Sequence, residues 1–254
     1  MLIPQIHKPR RERIATYSFK EPFKSPPMVL FSDVHLYGKL NKAISVPPEN
    51  VRELFKLLQK YTDDGYELYG LGDILEGWRS NAKQILKYHP EYIDFLVKHV
   101  HIIRGNHDWT AWRRIEKKFG IKTEESIQIG PIYLSHGHKA DPINRTAVWY
   151  SRYATKTAGL LKRAGINTDI IFRKMRGRST PRLKALYRKH SLKLQTTIVP
   201  TASIFCYGHL HIPYIDTTLP ETVVVNLGSI ANHVRIFSYV EITQTELILW
   251  KITL

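Results

Sequence analysis

Along the first hundred residues, short apolar runs alternate with stretches in which apolar residues return every three or four positions. Met28-Val-Leu-Phe-Ser32, Tyr66 to Leu71 and Val100 to Ile103 have strand length, and such continuous apolar runs read as strands buried on both faces. Between the first two, Val51, Leu54, Phe55, Leu58 and Tyr61 repeat at helical spacing. They predict a helix from Glu49 to about Asp63, closed by Gly65. A second helix is predicted over roughly Asn81 to Val97. The order β-α-β-α-β implies parallel strands joined by right-handed crossovers.

The second half reads differently. Ile127 to Ile129 and Ile132 to Ser135 flank Gly130-Pro131 as a hairpin. Further strands are predicted at Ser203–Tyr207, Tyr214–Thr217, Thr222–Val225, Ile236–Ile242 and Glu246–Ile252. The 254 residues suffice for one sizeable core. The expected organisation is a basic, proline-containing arm over residues 1–27 and one domain over 28–254, with a helical insert at about 142–196.

Charge adds to this picture. The formal net charge is +16, and 14 Lys and Arg against the single acid Asp169 fall between Pro142 and Thr196. A block so one-sided attracts polyanions, whether nucleic acid, an anionic membrane surface or a phosphorylated substrate. No apolar run approaches the ~20 residues of a membrane span. The basic N-terminus is followed by no apolar h-region, so it is not expected to be a secretory signal. The one cysteine, Cys206, lies in an apolar segment and points to a reducing compartment, the cytoplasm. Peripheral membrane attachment stays open through Ile166, Ile170, Ile171, Phe172, Leu183, Leu186 and Tyr187 in the insert.

Five short motifs follow apolar strands in order: Asp33-Val-His35, Gly72-Asp73, Gly105-Asn106-His107-Asp108, His136-Gly137 and Gly208-His209-Leu210-His211. Each alone is weak, and no packing requirement accounts for all five. The C-terminal edge of parallel strands is where α/β sheets bind ligands. Imidazole, carboxylate and amide donors suit hard-to-borderline divalent cations rather than a thiolate site. Two cations about 3.5–4 Å apart can share and acidify a water and clamp both oxygens of a phosphoryl displacement.

As an ordered set, the motifs resemble the calcineurin-like metallophosphoesterase superfamily, with its D-x-H, G-D, G-N-H-[D/E], H and G-H-x-H pattern, over about Met28 to Ser229. The resemblance implies a four-layer αββα sandwich with two divalent metals at the top of the sheets. Asp33, His35, Asp73 and His211 would hold one metal. Asp73, Asn106, His136 and His209 would hold the other, with Asp73 bridging. Manganese is expected first, with iron, zinc or nickel suited to the same donors. His107 would be the non-ligand histidine that stabilises the transition state or protonates the leaving oxygen, and Glu76 would orient it as a dyad. Asn226-Leu-Gly228-Ser229 is similar to the N-x-G-S turn that follows G-H-x-H in this superfamily. The implied reaction is hydrolysis of a phosphate ester or pyrophosphate bond by in-line attack of a metal-bridging hydroxide.

Within the superfamily, the length, the Gly72-to-Trp78 segment and the basic insert are similar to the UDP-2,3-diacylglucosamine pyrophosphatase branch. That branch has arginine in G-N-R-D where this chain has His107. A nuclease of the same fold, using the insert to grip phosphate backbones, is the other specific reading. A non-catalytic scaffold is disfavoured because the whole ligand pattern is intact. Asp108 reads equally as a catalytic group or as a cap on a helix starting near Trp109. His138 competes with His136, which the glycine after His136 favours as ligand. Trp78, Trp109, Trp112 and Trp149 read as core or pocket wall before base-stacking platforms. Arg79, Arg104, Arg113 and Arg145 are candidate phosphate contacts.

Overall fold

The computed structural model describes residues 9–38, 48–141, 157, 168–229 and 236–254, and the side chains of 168–180 stand outside that description. Eleven strands form two mixed sheets in these residues. The first has the order β1-β11-β10-β2-β3-β4, from β1 (Arg10–Ser18), β11 (Glu246–Thr253), β10 (Ile236–Ile242), β2 (Met28–Phe31), β3 (Glu67–Leu71) and β4 (Val100–Ile103). The second has the order β5-β6-β7-β9-β8, from β5 (Ser126–Ile129), β6 (Ile132–Ser135), β7 (Ile204–Tyr207), β9 (Thr222–Asn226) and β8 (Tyr214–Leu219). The strands β2, β3 and β4 run parallel, as do β6, β7 and β9.

Strand alternation divides the core into layers. Met28 and Leu30 of β2 join Ile204 and Cys206 of β7 in the apolar layer between the sheets. Val29 and Phe31 point the other way, onto the helices α1 (Pro48–Asp63), α2 (Ala82–Tyr88), α3 (Pro90–His99) and α4 (Trp109–Phe119). Phe205 and Tyr207 face the helix α5 (Thr168–Thr197), which buries Tyr187 and Leu194 against them. Helices, sheet, sheet and helix make the expected four-layer α/β sandwich. No helix among the described residues is long and apolar enough to cross a membrane.

Two features depart from the sequence expectations. The helix expected over Asn81 to Val97 is two helices, broken at His89 (φ −135°, ψ 47°). Pro90 causes the break: it lacks an N–H and disfavours helical backbone in the residue before it, yet suits the first turn of the next helix. The arm over residues 1–27 is in part a strand, because β1 pairs antiparallel with β11 at the edge of the first sheet. The Arg11 guanidinium lies 3.6 Å over the Trp250 ring and bonds Glu241 and the Tyr61 hydroxyl. The C-terminal part of the basic insert is helical, as the sequence led one to expect, and forms α5, an outer layer of the sandwich. Residues 142–156 and 158–167 of the insert, including Arg145 and Trp149, lie outside the described residues.

Candidate metal centre

Five parallel strands deliver the motifs to one edge of the molecule. Asp33 follows β2, Asp73 follows β3, Asn106 follows β4, His136 follows β6 and His209 follows β7. Backbone hydrogen bonds lock these loops together: Asp33 N–H donates to Gly72 O (3.0 Å), His35 N–H to Asp73 O (2.9 Å) and Gly208 N–H to His136 O (3.1 Å). Both buried aspartates also accept backbone donors, Asp33 from His209 N–H (3.0 Å) and Asp73 from His107 N–H (2.8 Å). The Asn226 side chain donates to Gly208 O and accepts from Gly228 N–H, and Ser229 Oγ donates to Asp33 O, so the N-x-G-S turn clamps the G-H-x-H loop.

The backbone here is strained. Asp33, His35, Asp73, His209 and His211 all have φ between 50° and 65°, a region that non-glycine residues rarely adopt and that costs on the order of 1–3 kcal/mol each. Among the described residues only Glu221, in the β8–β9 turn, shares it without being a glycine. Neighbouring glycines permit the approach of the loops. A Cβ on Gly105 would collide with the Asp73 carboxylate, and one on Gly208 would stand 2.7 Å from Asp33 Oδ2.

The side chains converge in two linked groups. His211 Nε2 is 2.9 Å and His35 Nε2 3.8 Å from Asp33 Oδ1. His136 Nε2 is 3.2 Å from Asp73 Oδ2 and 3.1 Å from Asn106 Oδ1. Asp33, His35 and His211 each place one donor atom within 4.8 Å of the others, and so do Asp73, His136 and His209. His35, Asp73 and His107 form a third such group joining them. His136 Nδ1 lies 2.8 Å from Leu71 O. A carbonyl only accepts, so Nδ1 carries a proton and Nε2 is aimed at Asp73, an orientation typical of metal-ligating histidines.

Electrostatics sharpens the picture. Burial opposes ionisation of Asp33, yet the imidazoles of His211 and His136 hold its carboxyl well below the usual range. Asp73 is likewise held down, against burial, by His136 and His107. Burial would lower His136, but Asp73 pushes it up to about 10; in the same way Glu76 and Asp73 raise His35 to about 8. Two ionised carboxylates out of water attract cations strongly. His35 Nε2 is buried without a hydrogen bond, 3.8 Å from Asp33 Oδ1. Metal coordination would satisfy that nitrogen, so the donor set fits divalent cations.

His107 is held on three sides. Its Nδ1 lies 3.2 Å from both Glu76 oxygens, its ring stacks on Trp78 (centroids 3.6 Å apart, 21° between planes), and the His35 ring meets it edge-on at 4.8 Å. Its Nε2 is directed toward Asp73 Oδ2, 4.0 Å away. Glu76, buried and held ionised against burial by His107 and His35, lies 3.3 Å from His35 Nδ1 as well. Asp108 occupies the cap position of α4 without making a cap hydrogen bond. Its fully buried carboxylate instead accepts from Ile74 N–H (2.8 Å), Gly105 N–H (2.7 Å) and Trp112 Nε1–H (3.2 Å). It therefore joins the loops after β3 and β4 from beneath. His138 stands beside His136, ring centroids 5.5 Å apart, and burial together with the charges on His136 and His209 lowers it to about 3.

Two contacts have no signal in the motifs. Asp141 Oδ2 lies 3.3 Å from His209 Nε2, and the Trp78 stack on His107 depends on loops after different strands.

Several solved structures are similar to this one. They include a dimetal phosphatase from Danio rerio, 11% identical over 90% of this chain and 96% of that one, with a TM-score of 0.50. A conserved protein of Streptococcus pneumoniae described as a predicted phosphoesterase is 16% identical over 88% of each chain, with a TM-score of 0.43. An archaeal phosphodiesterase is 12% identical over 88% of this chain and 99% of that one, also with a TM-score of 0.43. No curated protein matches the chain in sequence. The model of the calcineurin-like phosphoesterases matches residues 26–213, well over half of the sequence, and the chain belongs to that family.

Proposed function

We propose that the chain hydrolyses a phosphate ester or anhydride at a dinuclear metal centre. Asp33, His35, Asp73 and His211 would hold one ion; Asp73, Asn106, His136 and His209 would hold the other. The observation that carries this reading is the convergence of two three-residue His/Asp groups, each within 4.8 Å, on buried carboxylates that remain ionised. Divalent cations in such a set act as Lewis acids on a phosphoryl group and lower the pKa of water.

The protein's own side chains supply the rest. Glu76 holds Nδ1 of His107, so Nε2 is the atom that faces the substrate and can give a proton to the leaving oxygen. Trp78 fixes the plane of that ring. The strained loops set donor positions before substrate arrives, so little reorganisation is needed in the reaction.

Hydrolysis of bis-p-nitrophenyl phosphate and p-nitrophenyl phosphate by metal-stripped protein, with and without added Mn²⁺, tests the reading. Turnover should require the metal and vanish on Asp73→Asn; metal-independent turnover, or turnover that survives the substitution, contradicts it. A nucleic-acid diester is a second reading, supported by Arg182, Lys189 and Lys193, all exposed on α5. Binding to such a substrate should weaken steeply with salt.

A further inference from the structure

Beside Asn106 lies a cavity of about 180 Å³, lined by Arg104, Asn106, Trp109, Glu125, His138 and Lys139 together with the Gly105 backbone. The Arg104 guanidinium lies over the Trp109 indole, 4.2 Å from the ring centroid. Stacking of this kind holds the planar group flat while leaving its N–H edges for an oxyanion. Arg104 Nε and His138 Nδ1 are both buried without a hydrogen-bond partner among the described residues. Glu125, the acid among the lining residues, is paired with Lys139 at 2.6 Å. The Arg104 charge reaches Glu125 and Glu116, but among the described residues no carboxylate stands within 4 Å of its guanidinium.

We propose that this cavity is a subsite for a second phosphate of the substrate, adjacent to the one that is hydrolysed. The proposal rests on the phosphoesterase reading of the neighbouring centre. Three donors of different geometry, the Arg104 fork, the Lys139 ammonium and the His138 ring, match an anion with several acceptor oxygens. The volume admits a phosphate and part of its linkage but falls below the ~300 Å³ at which whole drug-sized ligands are held. The second phosphate belongs to either a diphosphate bridge or the next diester of a nucleic-acid strand.

Calorimetric titration of the full chain with inorganic phosphate tests the subsite without turnover. The Mn²⁺-loaded protein should bind two phosphates, and Arg104→Gln should bind one. Equal stoichiometry in the two proteins overturns the proposal. If Mn²⁺ leaves phosphate binding unchanged while Arg104→Gln still removes one site, the subsite stands and the metal-centre reading fails. Kinetics name the source, using a diphosphate-bridged dinucleotide, a thymidylate trinucleotide and bis-p-nitrophenyl phosphate. Arg104→Gln should lower kcat/KM at least about tenfold more for a two-phosphate substrate than for bis-p-nitrophenyl phosphate, the scale of one hydrogen bond to a charged group. The substrate that suffers this excess identifies the source. Lys139→Gln, at an exposed position, should shift the same ratio in the same direction. Equal losses on all three substrates overturn the proposal.

Discussion

His107 lies 3.2 Å from both Glu76 oxygens and stacks on Trp78, yet its Nε2 stands 4.0 Å from Asp73 Oδ2. A side chain anchored at one nitrogen and directed inward with the other is suited to proton transfer. His107→Ala should therefore lower kcat by roughly 10²–10⁴-fold while metal content, measured by plasma mass spectrometry, stays near the wild-type value. Parallel loss of both would sink the role. Asp108 behaves differently because its carboxylate serves backbone and indole donors rather than the cleft. Asp108→Ala leaves three buried donors unpaired and should cost on the order of 3 kcal/mol in denaturant unfolding. A cost under about 0.5 kcal/mol, the range of ordinary surface substitutions, would refute its scaffold role. Asp108 has two equal readings in sequence because the residue type suits both, and only the positions of Ile74 and Gly105 separate them.

At the scale of elements, α5 is fastened to the second sheet by Tyr187 and Leu194 and by the ion pair of Arg188 Nε with Asp216 Oδ2, 2.6 Å. Burial raises the Asp216 carboxyl, but Thr218 and Arg188 outweigh it and hold the group below its usual range. A depressed folded pKa contributes stability that is fully present above the unfolded value, about 4, and lost as pH falls through the folded one. The protection factors of the amides in residues 187–197 should fall as pH drops below about 4, and Asp216→Asn should flatten that dependence. An unchanged dependence in the variant would contradict the assignment. The continuous apolar strands at the centre of each sheet were legible because both faces are buried. The strand β1 was not, since Arg10, Arg11 and Arg13 read as part of a basic, proline-containing arm and its partner β11 lies at the opposite end of the chain. Pro90 marks the break between α2 and α3 in the sequence itself; a helical period read across it concealed the signal.

For the molecule as a whole, the motif residues were legible because each ends a strand, and parallel strands carry their ends to one edge. Less legible was the backbone that makes the site, with five strained Asp and His residues whose types give no hint of left-handed φ. Contacts between loops, such as Asp141 with His209, leave no trace in spacing. If cations complete this assembly, they bind the folded chain and stabilise it by mass action. At a hundredfold excess over Kd, each of the two sites adds about 2.7 kcal/mol, so saturating Mn²⁺ should raise Tm by roughly 10–20 °C and chelation should reverse the shift. An unchanged midpoint in differential scanning calorimetry would count against metal binding. The most direct test is the number of metal ions bound per chain after equilibrium dialysis against Mn²⁺, for the wild type and for Asp73→Asn. Two ions in the wild type and fewer than one in the variant are the predicted result. A single ion or none in the wild type, or two retained in Asp73→Asn, would contradict a dinuclear centre bridged by Asp73.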